Sequence, residues 1–524
     1  MLYPTANPGQ AGQGPPGRGA YVLNRMDWNS IRGWSLALAA GVGVLAIGAS
    51  ACSPKAEEQA VPAHRGPIVL ITIDALRADS LGALGGPPKL TPAMDSLARE
   101  ATWAGRAISP SSWTVPSMAS LFTGLQPWSN QSWHGDRAVL ADEFVTLPEA
   151  LKAAGFRTSA FRSNHWLQQQ YGYAQGFDTF RYLKEGKRAE EHLAKLQGDQ
   201  EFVWIHILPP HAPYVRREHL LAHLPEVPED LPRRIRPLDL EPYYDPEVPL
   251  PDDEERVFRA MYHLNVAFAD EMLGRMLASL RRSGQWDKTL LVVTSDHGEE
   301  FDEQGQIAHG GNLGRQLIEV PLLVKLPTGF ERPLAVQPGQ HPATVRLWST
   351  LVEAAGGTPR PGTAPSLFRE AETGVLSELY MGNGVNRYSW VDGGRQLVWE
   401  SRFAPDEPEY YRARYQGIGG KPEPPLQEPM DAIFGRLEDA FVQTPPLSGR
   451  RGTKPQLTLW SWSGSGSERL DDPQLTATLA RQLRKAWIAA NGEETLPGRG
   501  TGEKPELSEQ ELEELKALGY VAGN

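Results

Sequence analysis

Four apolar runs in this chain have no polar face. "PIVLITID" (67–74), "EFVWIHILPPHAPY" (201–214), "TLLVVTSDHGEEF" (289–301) and "VPLLVKLP" (320–327) are rich in β-branched residues and lack the polar alternation of a half-exposed strand. Strands of this kind hide both faces, which requires a largely parallel sheet covered by helices on each side. The intervening patterns supply those helices. "LTPAMDSLAREATWA" is amphipathic, with Thr91 as its candidate cap and Pro92 at the first helical position. "ERVFRAMYHLNVAFADEMLGRMLASLRRSG" (255–284) closes on basic residues and Gly284, as helix ends prefer. The rhythm predicts an α/β fold with a doubly wound, mostly parallel sheet.

Beyond about residue 370 the pattern changes. "TGVLSELYMGNGVNRYSWVDGGRQLVWESRF" reads as short strands joined by Gly-containing turns, and "DDPQLTATLARQLRKAWIAAN" as a helix beside them. This predicts a smaller C-terminal subdomain of antiparallel sheet plus helix. Residues 216–256 are Pro-rich and mixed in charge, and are read as an insertion running over the surface.

The N-terminus carries Arg25 and Arg32 ahead of an uncharged run, "GWSLALAAGVGVLAIGASA", which fits a secretory signal. A retained anchor helix is the competing reading of that run. Cys52, the single cysteine of the chain, follows Ala49, Ser50 and Ala51 and precedes a polar stretch. It resembles the lipidated cysteine of a bacterial lipoprotein, which predicts an extracytoplasmic, membrane-anchored protein held by an N-terminal lipid anchor. The formal charge of -12, from 64 acidic and 52 basic residues, disfavours a nucleic-acid partner.

In open α/β sheets, ligands bind beyond the carboxyl ends of the strands. Asp74, the histidines of 206–211 and Asp296 with His297 all follow predicted strands, and Thr114 opens a helical run in "SPSSWTVPSMASLFTG" (109–124). Thr114 has two readings, a helix cap or a nucleophile at the helix's positive end. Two carboxylates and an imidazole suit a divalent metal ion, with Thr114 as fourth ligand and nucleophile, because an unassisted Thr hydroxyl is weak at neutral pH.

The blocks "VLITIDALRADSLGALGG…LTPAMDSLA", "SSWTVPSMASLFTG", "HAPY" and "TSDHGEEFDEQGQIAHGG…VPLLV" resemble, in order and spacing, the sulfatase family of the alkaline phosphatase superfamily. The resemblance implies metal ligation by Asp74, Thr114, Asp296 and His297, with Thr114, His211 and His309 as catalytic residues. The match covers roughly residues 67–327; with the residue patterns above, the chain divides into a leader and lipoprotein signal peptide over 1–51, a linker over 52–66, a sulfatase-like catalytic domain over 67–370, the C-terminal subdomain over 371–490, and a spacer with a terminal helix over 491–524. Sulfatases proper convert a Cys or Ser to formylglycine within Cys/Ser-X-Pro-X-Arg; here the motif is Thr114-Val115-Pro116-Ser117-Met118. Oxidation of Thr would give a ketone, so Thr114 is expected to attack directly, as in phosphodiesterase relatives. Ala75 stands where many sulfatases have a second Asp, and Met118 replaces the motif's Arg. A histidine ligand favours zinc or manganese over calcium or magnesium. Two-zinc relatives carry an Asp where Ile207 stands, so a single metal ion is expected.

The implied function is hydrolysis of phosphate or sulfate esters, with a small-molecule, glycan or lipid ester as substrate. Alternatives are an arylsulfatase-like sulfuric ester hydrolase, a head-group transferase, and a non-catalytic binding protein favoured by Ala75 and Met118. Structural roles are expected for His206 as a core histidine, Arg77 with Asp79 as a surface pair, and Glu299, Glu300, Asp302 and Glu303 as a solvated acidic loop. Asn164 is placed at a strand end near the site.

Overall fold

The computed structural model describes residues 63–491, apart from 133–138, 184–185, 199, 244–247, 372–373, 381–384, 403–455 and 464–465. The signal run, Cys52 and the terminal helix lie outside these residues. Among the described residues no helix is long and apolar enough to cross a membrane.

The first five strands are β1 (Ile68–Ile73), β2 (Trp103–Ile108), β3 (Arg157–Arg162), β4 (Thr179–Tyr182) and β5 (Glu201–Ile207). A short ribbon follows, β6 (Tyr214–Val215) with β7 (Arg234–Ile235), then β8 (Leu290–Ser295), a second ribbon of β9 (Glu300–Phe301) and β10 (Ile307–Ala308), and β11 (Glu319–Lys325). The main sheet has the order β2-β11-β8-β1-β5-β3-β4. β1 runs parallel to both β5 and β8, and β3 parallel to β5 and β4, while β11 is antiparallel to its neighbours β8 and β2.

Every residue of β1 is buried, as its lack of a polar face requires. Val69, Ile71 and Ile73 pack with the long helix Asp252–Arg282 through Met261, Leu264 and Met272. Ile68 and Leu70 pack on the opposite face with helix α2 (Thr114–Thr123). The polar turn at the end of β1 is thereby fixed between two helical layers.

The C-terminal sheet is β12 (Val375–Tyr380), β13 (Val385–Asp392), β14 (Arg395–Arg402), β15 (Gln456–Ser463) and β16 (Gly466–Leu470), antiparallel throughout. β13 and β14 are joined by Gly393 and Gly394 at φ 56° and 76°, the two left-handed positions that a tight hairpin demands. The helix Pro473–Asn491 packs Leu479, Leu483 and Trp487 against Trp390 and Trp399 of this sheet.

Three expectations are corrected. The 216–256 segment is not merely surface: Leu220, Leu224, Leu231, Ile235, Leu240 and Leu250 are buried in the same cluster as the long helix. Its average polarity concealed apolar residues placed singly among charged ones. Thr91 occupies the N-cap position of α1 (Pro92–Glu100), yet its side chain does not cap the helix. Its hydroxyl instead accepts from the Gly82 N–H and donates to Asp95, while Asp270 of the long helix accepts from the N–H groups of Ala93 (2.9 Å) and Met94 (2.8 Å). Arg77 is buried rather than superficial, paired with Asp79 (2.7 Å) and Glu303 (2.5 Å), and donates to the Glu299 carbonyl (3.0 Å).

Candidate active site

The carboxyl ends of β1, β3, β5 and β8 meet at one rim. β1 delivers Asp74, β8 delivers Asp296 and His297, the turn after β3 delivers Asn164, and the loop after β5 carries His211. From the other side α2 presents Thr114 as its first residue, with Trp113 at the N-cap and no side-chain cap. Thr114 is therefore not the cap. Pro116 fits here because the first turn of a helix has no use for its missing N–H. Tyr262 of the long helix pins the turn after Asp74, donating to the Ala75 carbonyl (2.8 Å) and accepting from the Arg77 N–H (3.0 Å). Ala75 is held at φ 58°, a sparsely populated conformation for a residue with a Cβ.

Asp74, Asp296 and His297 are buried and bring one ligand atom each to within 4.8 Å of one another; among the described residues they are the one such group. Hydrogen bonds orient all three. His206 donates from Nε2 to Asp74 Oδ2 (3.1 Å), its Nδ1 accepts from Thr72 (2.7 Å), and Thr72 in turn accepts from Trp204 Nε1 (3.0 Å). His206 is a core histidine, as expected, and it also braces Asp74. Asn164 Nδ2 donates to Asp74 Oδ2 (2.6 Å) and lies 3.4 Å from Thr114 Oγ1. Asp296 Oδ1 accepts from the N–H groups of Ala75 (3.2 Å) and His297 (3.0 Å).

The remaining oxygens, Asp74 Oδ1 and Asp296 Oδ2, are buried without a hydrogen-bond partner. His297 Nδ1 donates to the Gly298 carbonyl (2.8 Å), which turns the Nε2 lone pair towards both oxygens at 3.5 Å each and towards Thr114 Oγ1 at 3.2 Å. Three acceptors facing one another in a buried space are costly unless a proton or a cation lies between them. Two carboxylate oxygens and an imidazole nitrogen are a donor set that a divalent ion fits.

Without an ion, the cluster splits the two carboxyls. Burial opposes ionisation of Asp74, but His211, His206 and His297 hold its carboxyl below the usual range. Burial, then the Asp74 charge, pushes Asp296 well above it. Burial and His309 push His297 down, which keeps its imidazole neutral.

His211 and His309 reach the same place. Their rings are 4.8 Å apart, and the His309 ring is 4.4 Å from that of His297. His309 Nδ1 donates to Glu299 Oε1 (2.7 Å), and Tyr214 donates to Glu299 Oε2 (3.0 Å). Burial lowers the His309 pKa, but the Glu299 charge and hydrogen bond outweigh it and raise the net value. Burial lowers that of His211. Glu299 and Glu300 are thus buried parts of the site and not a solvated loop, a further correction. The signal for Glu299 was available in principle: a histidine that moves protons needs an acceptor on its second nitrogen. Met118 is buried in the apolar cluster below α2, and Ile207 in the cluster on the other face, so neither faces the polar rim.

The loop beyond His309 is tied to the C-terminal sheet. Arg387 donates to the Gly311 carbonyl and Gln396 to that of Leu313 (2.6 Å), while Ser377 donates to the Ser109 carbonyl (2.7 Å) ahead of α2. Glu300 anchors its near end, accepting from Asn312 Nδ2 (2.6 Å) and the Gln304 N–H (2.7 Å). Burial raises the Glu300 pKa from an ordinary 4.5 to about 8. Between those values the unfolded chain releases a proton that the folded chain keeps, so this group's contribution to stability falls as pH rises, by at most about 1.4 kcal/mol per unit. Glu300→Gln is expected to flatten the loss of Tm between pH 5 and 8, read by thermal melts of both proteins. An identical pH slope would show that Glu300 ionises normally.

A model of the sulfatase family matches residues 67–198 and 186–357, more than half of the chain. The chain belongs to the sulfatase family. Among curated sulfatases, the ulvan-active sulfatase of Formosa agariphila is 26% identical over 294 residues, 50% of this chain and 56% of that protein. Human iduronate 2-sulfatase is 25% identical over 336 residues, again 50% of this chain and 59% of its own length. The chain thus spans somewhat more than half the length of these relatives. The phosphonate monoester hydrolase of Silicibacter pomeroyi superposes with a TM-score of 0.55 at 17% identity, covering 82% of this chain and 96% of that one, a likeness of fold.

Proposed function

We propose that this sulfatase-family chain is a metal-dependent ester hydrolase in which Thr114 is the nucleophile, with phosphate mono- or diesters as its first substrate class. The observation that carries this reading is the convergence of two unpartnered buried carboxylate oxygens and the His297 lone pair beside Thr114 Oγ1. Asp74, Asp296 and His297 would hold the ion. A divalent cation there supplies the positive charge that lowers the pKa of the Thr114 hydroxyl and offsets the charge on the ester oxygens.

The chain's own groups account for the rest. Asn164 steers the Thr114 hydroxyl, and the first-turn N–H groups of α2 favour an anion beside it; in the metal-free chain the His297 Nε2 lone pair, which would pass to the ion, faces that hydroxyl. The deprotonated Thr114 oxygen forms a bond to phosphorus as the bond to the leaving alcohol breaks. His309, charged through Glu299, gives the alcohol its proton from Nε2. Water then cleaves the phosphothreonine, and His309 Nε2 accepts the proton that water loses. His211 positions the ester oxygens.

The test is turnover of a bis-aryl phosphodiester, an aryl phosphate and an aryl sulfate by the full chain, before and after chelation and with zinc or manganese restored. Phosphoester turnover that disappears with the chelator and returns with the ion is the expected result. Turnover of the sulfate alone would favour the arylsulfatase reading, to which the family match lends weight. No turnover of any ester by the metal-loaded protein would leave a binding protein.

A further inference from the structure

Thr72 and His206 are polar side chains set into an apolar layer. Thr72 follows Ile68 and Leu70 on one face of β1, and His206 follows Phe202 and Trp204 on the same face of β5, with Thr72 opposite His206 in register. Ile68, Leu70, Phe202 and Trp204 pack in the cluster beneath α2, where the Trp204 ring stands edge-on to Phe122 at 4.7 Å. Thr72 and His206 are fully buried beside them. Polar groups in such a place are costly unless every one is satisfied. Here they form a chain that starts at a group able only to donate and ends at a carboxylate able only to accept. Trp204 Nε1 donates to Thr72 Oγ1 (3.0 Å), Thr72 passes its own proton to His206 Nδ1 (2.7 Å), and His206 Nε2 donates to Asp74 Oδ2 (3.1 Å).

This relay and Asn164 place two donors on the same oxygen, Asp74 Oδ2, at 3.1 and 2.6 Å. Asp296 is held in the same manner by main chain, its Oδ1 accepting from the N–H groups of Ala75 (3.2 Å) and His297 (3.0 Å). One oxygen of each carboxylate is therefore occupied, and the oxygens left over, Asp74 Oδ1 and Asp296 Oδ2, are the two that lack a partner. A carboxylate with one oxygen engaged in this way binds a cation through the other alone. The cluster then offers a single atom from each of Asp74, Asp296, His297 and Thr114. Zinc is satisfied by about four such donors, whereas manganese favours roughly six, mostly oxygens.

We infer that Trp204, Thr72 and His206 are a positioning relay that, with Asn164, keeps Asp74 a one-oxygen ligand, and that the cluster is thereby specialised for a cation of low coordination number, zinc in preference to manganese. The inference rests on the metal-dependent reading above and adds which ion the site selects.

Cobalt(II) substitutes for zinc and reports its surroundings by colour, absorbing visible light strongly at low coordination number and weakly when octahedral. The full chain loaded with cobalt is expected to absorb strongly, and a weak octahedral spectrum in the wild type overturns the inference. His206→Met removes the donor but not the bulk, while His206→Gln keeps an N–H near the position of Nε2. In His206→Met, zinc affinity read by competition with a chromophoric chelator is expected to fall by about tenfold or more. The cobalt band should weaken in the same variant as Asp74 Oδ2 becomes available, and His206→Gln should recover most of both. A purely structural role would lower the Tm of both variants and leave the affinity and the spectrum alone. If His206→Met does not fold, Thr72→Val set against Thr72→Ser breaks the relay one step earlier, with an expected fall of about threefold in zinc affinity for the valine variant only. Unchanged zinc affinity and an unchanged cobalt spectrum in a folded relay variant overturn the inference. A wild type that binds neither ion overturns the metal-dependent reading and this inference with it. Binding and colour as expected, without turnover of any ester, count against the hydrolase reading alone.

Discussion

Thr114→Val is expected to reduce phosphoester turnover by about four orders of magnitude or more, with Thr114→Ser retaining a substantial part of it. Valine keeps the branching and volume of threonine at the first position of a fully buried helix, so the steric change is small, while loss of the hydroxyl costs some stability that the melts register. What disappears is the hydroxyl that faces His297 Nε2 and Asn164 Nδ2, and with it any route to a covalent phosphothreonine. Serine restores an oxygen without the methyl group. The readout is single-turnover and steady-state hydrolysis of an aryl phosphate, with thermal melting to confirm that both variants remain folded. Turnover by Thr114→Val within about tenfold of wild type would remove Thr114 from the nucleophile's role and hand the attack to water.

Asp296→Asn has the second largest expected effect, and its readout is stability. In the metal-free protein the Asp74 and Asp296 carboxyls approach within 4.8 Å in a buried setting, and the Asp74 charge adds to the burial that holds Asp296 protonated. Two charges at such a separation repel by roughly 3 to 4 kcal/mol at an effective dielectric of about 20. The metal-free fold avoids that repulsion by keeping Asp296 protonated, which costs stability at neutral pH because the unfolded chain ionises there; a neutral amide needs no such protonation, so the stripped variant should melt a few degrees above the stripped wild type. Zinc or manganese should stabilise the wild type, by about 4 kcal/mol at a thousandfold excess over its dissociation constant, and should leave Asp296→Asn nearly unmoved. Equal metal-induced shifts in the two proteins would show that the ion binds elsewhere.

The parts of this molecule that were legible in the sequence share one property. β1, β5 and β8 are runs that cannot face water, so their burial and the polar residues at their ends follow from local composition. Asp74, Asp296 and His297 were placed at strand ends for that reason. The parts that were missed depend on partners distant in sequence. The cap of α1 comes from Asp270, separated from Ala93 by 177 positions, and no local pattern around Thr91 encodes it. The buried state of Glu299 depends on Tyr214 and His309 arriving from separate loops, whereas its neighbours in "GEEFDEQ" read as an acidic surface. Leu220, Leu224, Leu231, Leu240 and Leu250 are similar: each is buried in the cluster of the long helix, and a mean over the segment erases them.

The reversed direction of β11 has a consequence for how the rim is assembled. β8 ends at Ser295 and β11 begins at Glu319, and because the two strands are antiparallel, both of those points lie on the same rim of the sheet. The intervening chain therefore never crosses to the far side, and it carries His297, Glu299 and His309. It behaves as a cassette plugged into the scaffold at two adjacent sockets. Its two ends are fixed by adjacent core strands, and its middle is held from outside that sheet, by Arg77 at Glu299 and Glu303 and by Arg387 and Gln396 at Gly311 and Leu313.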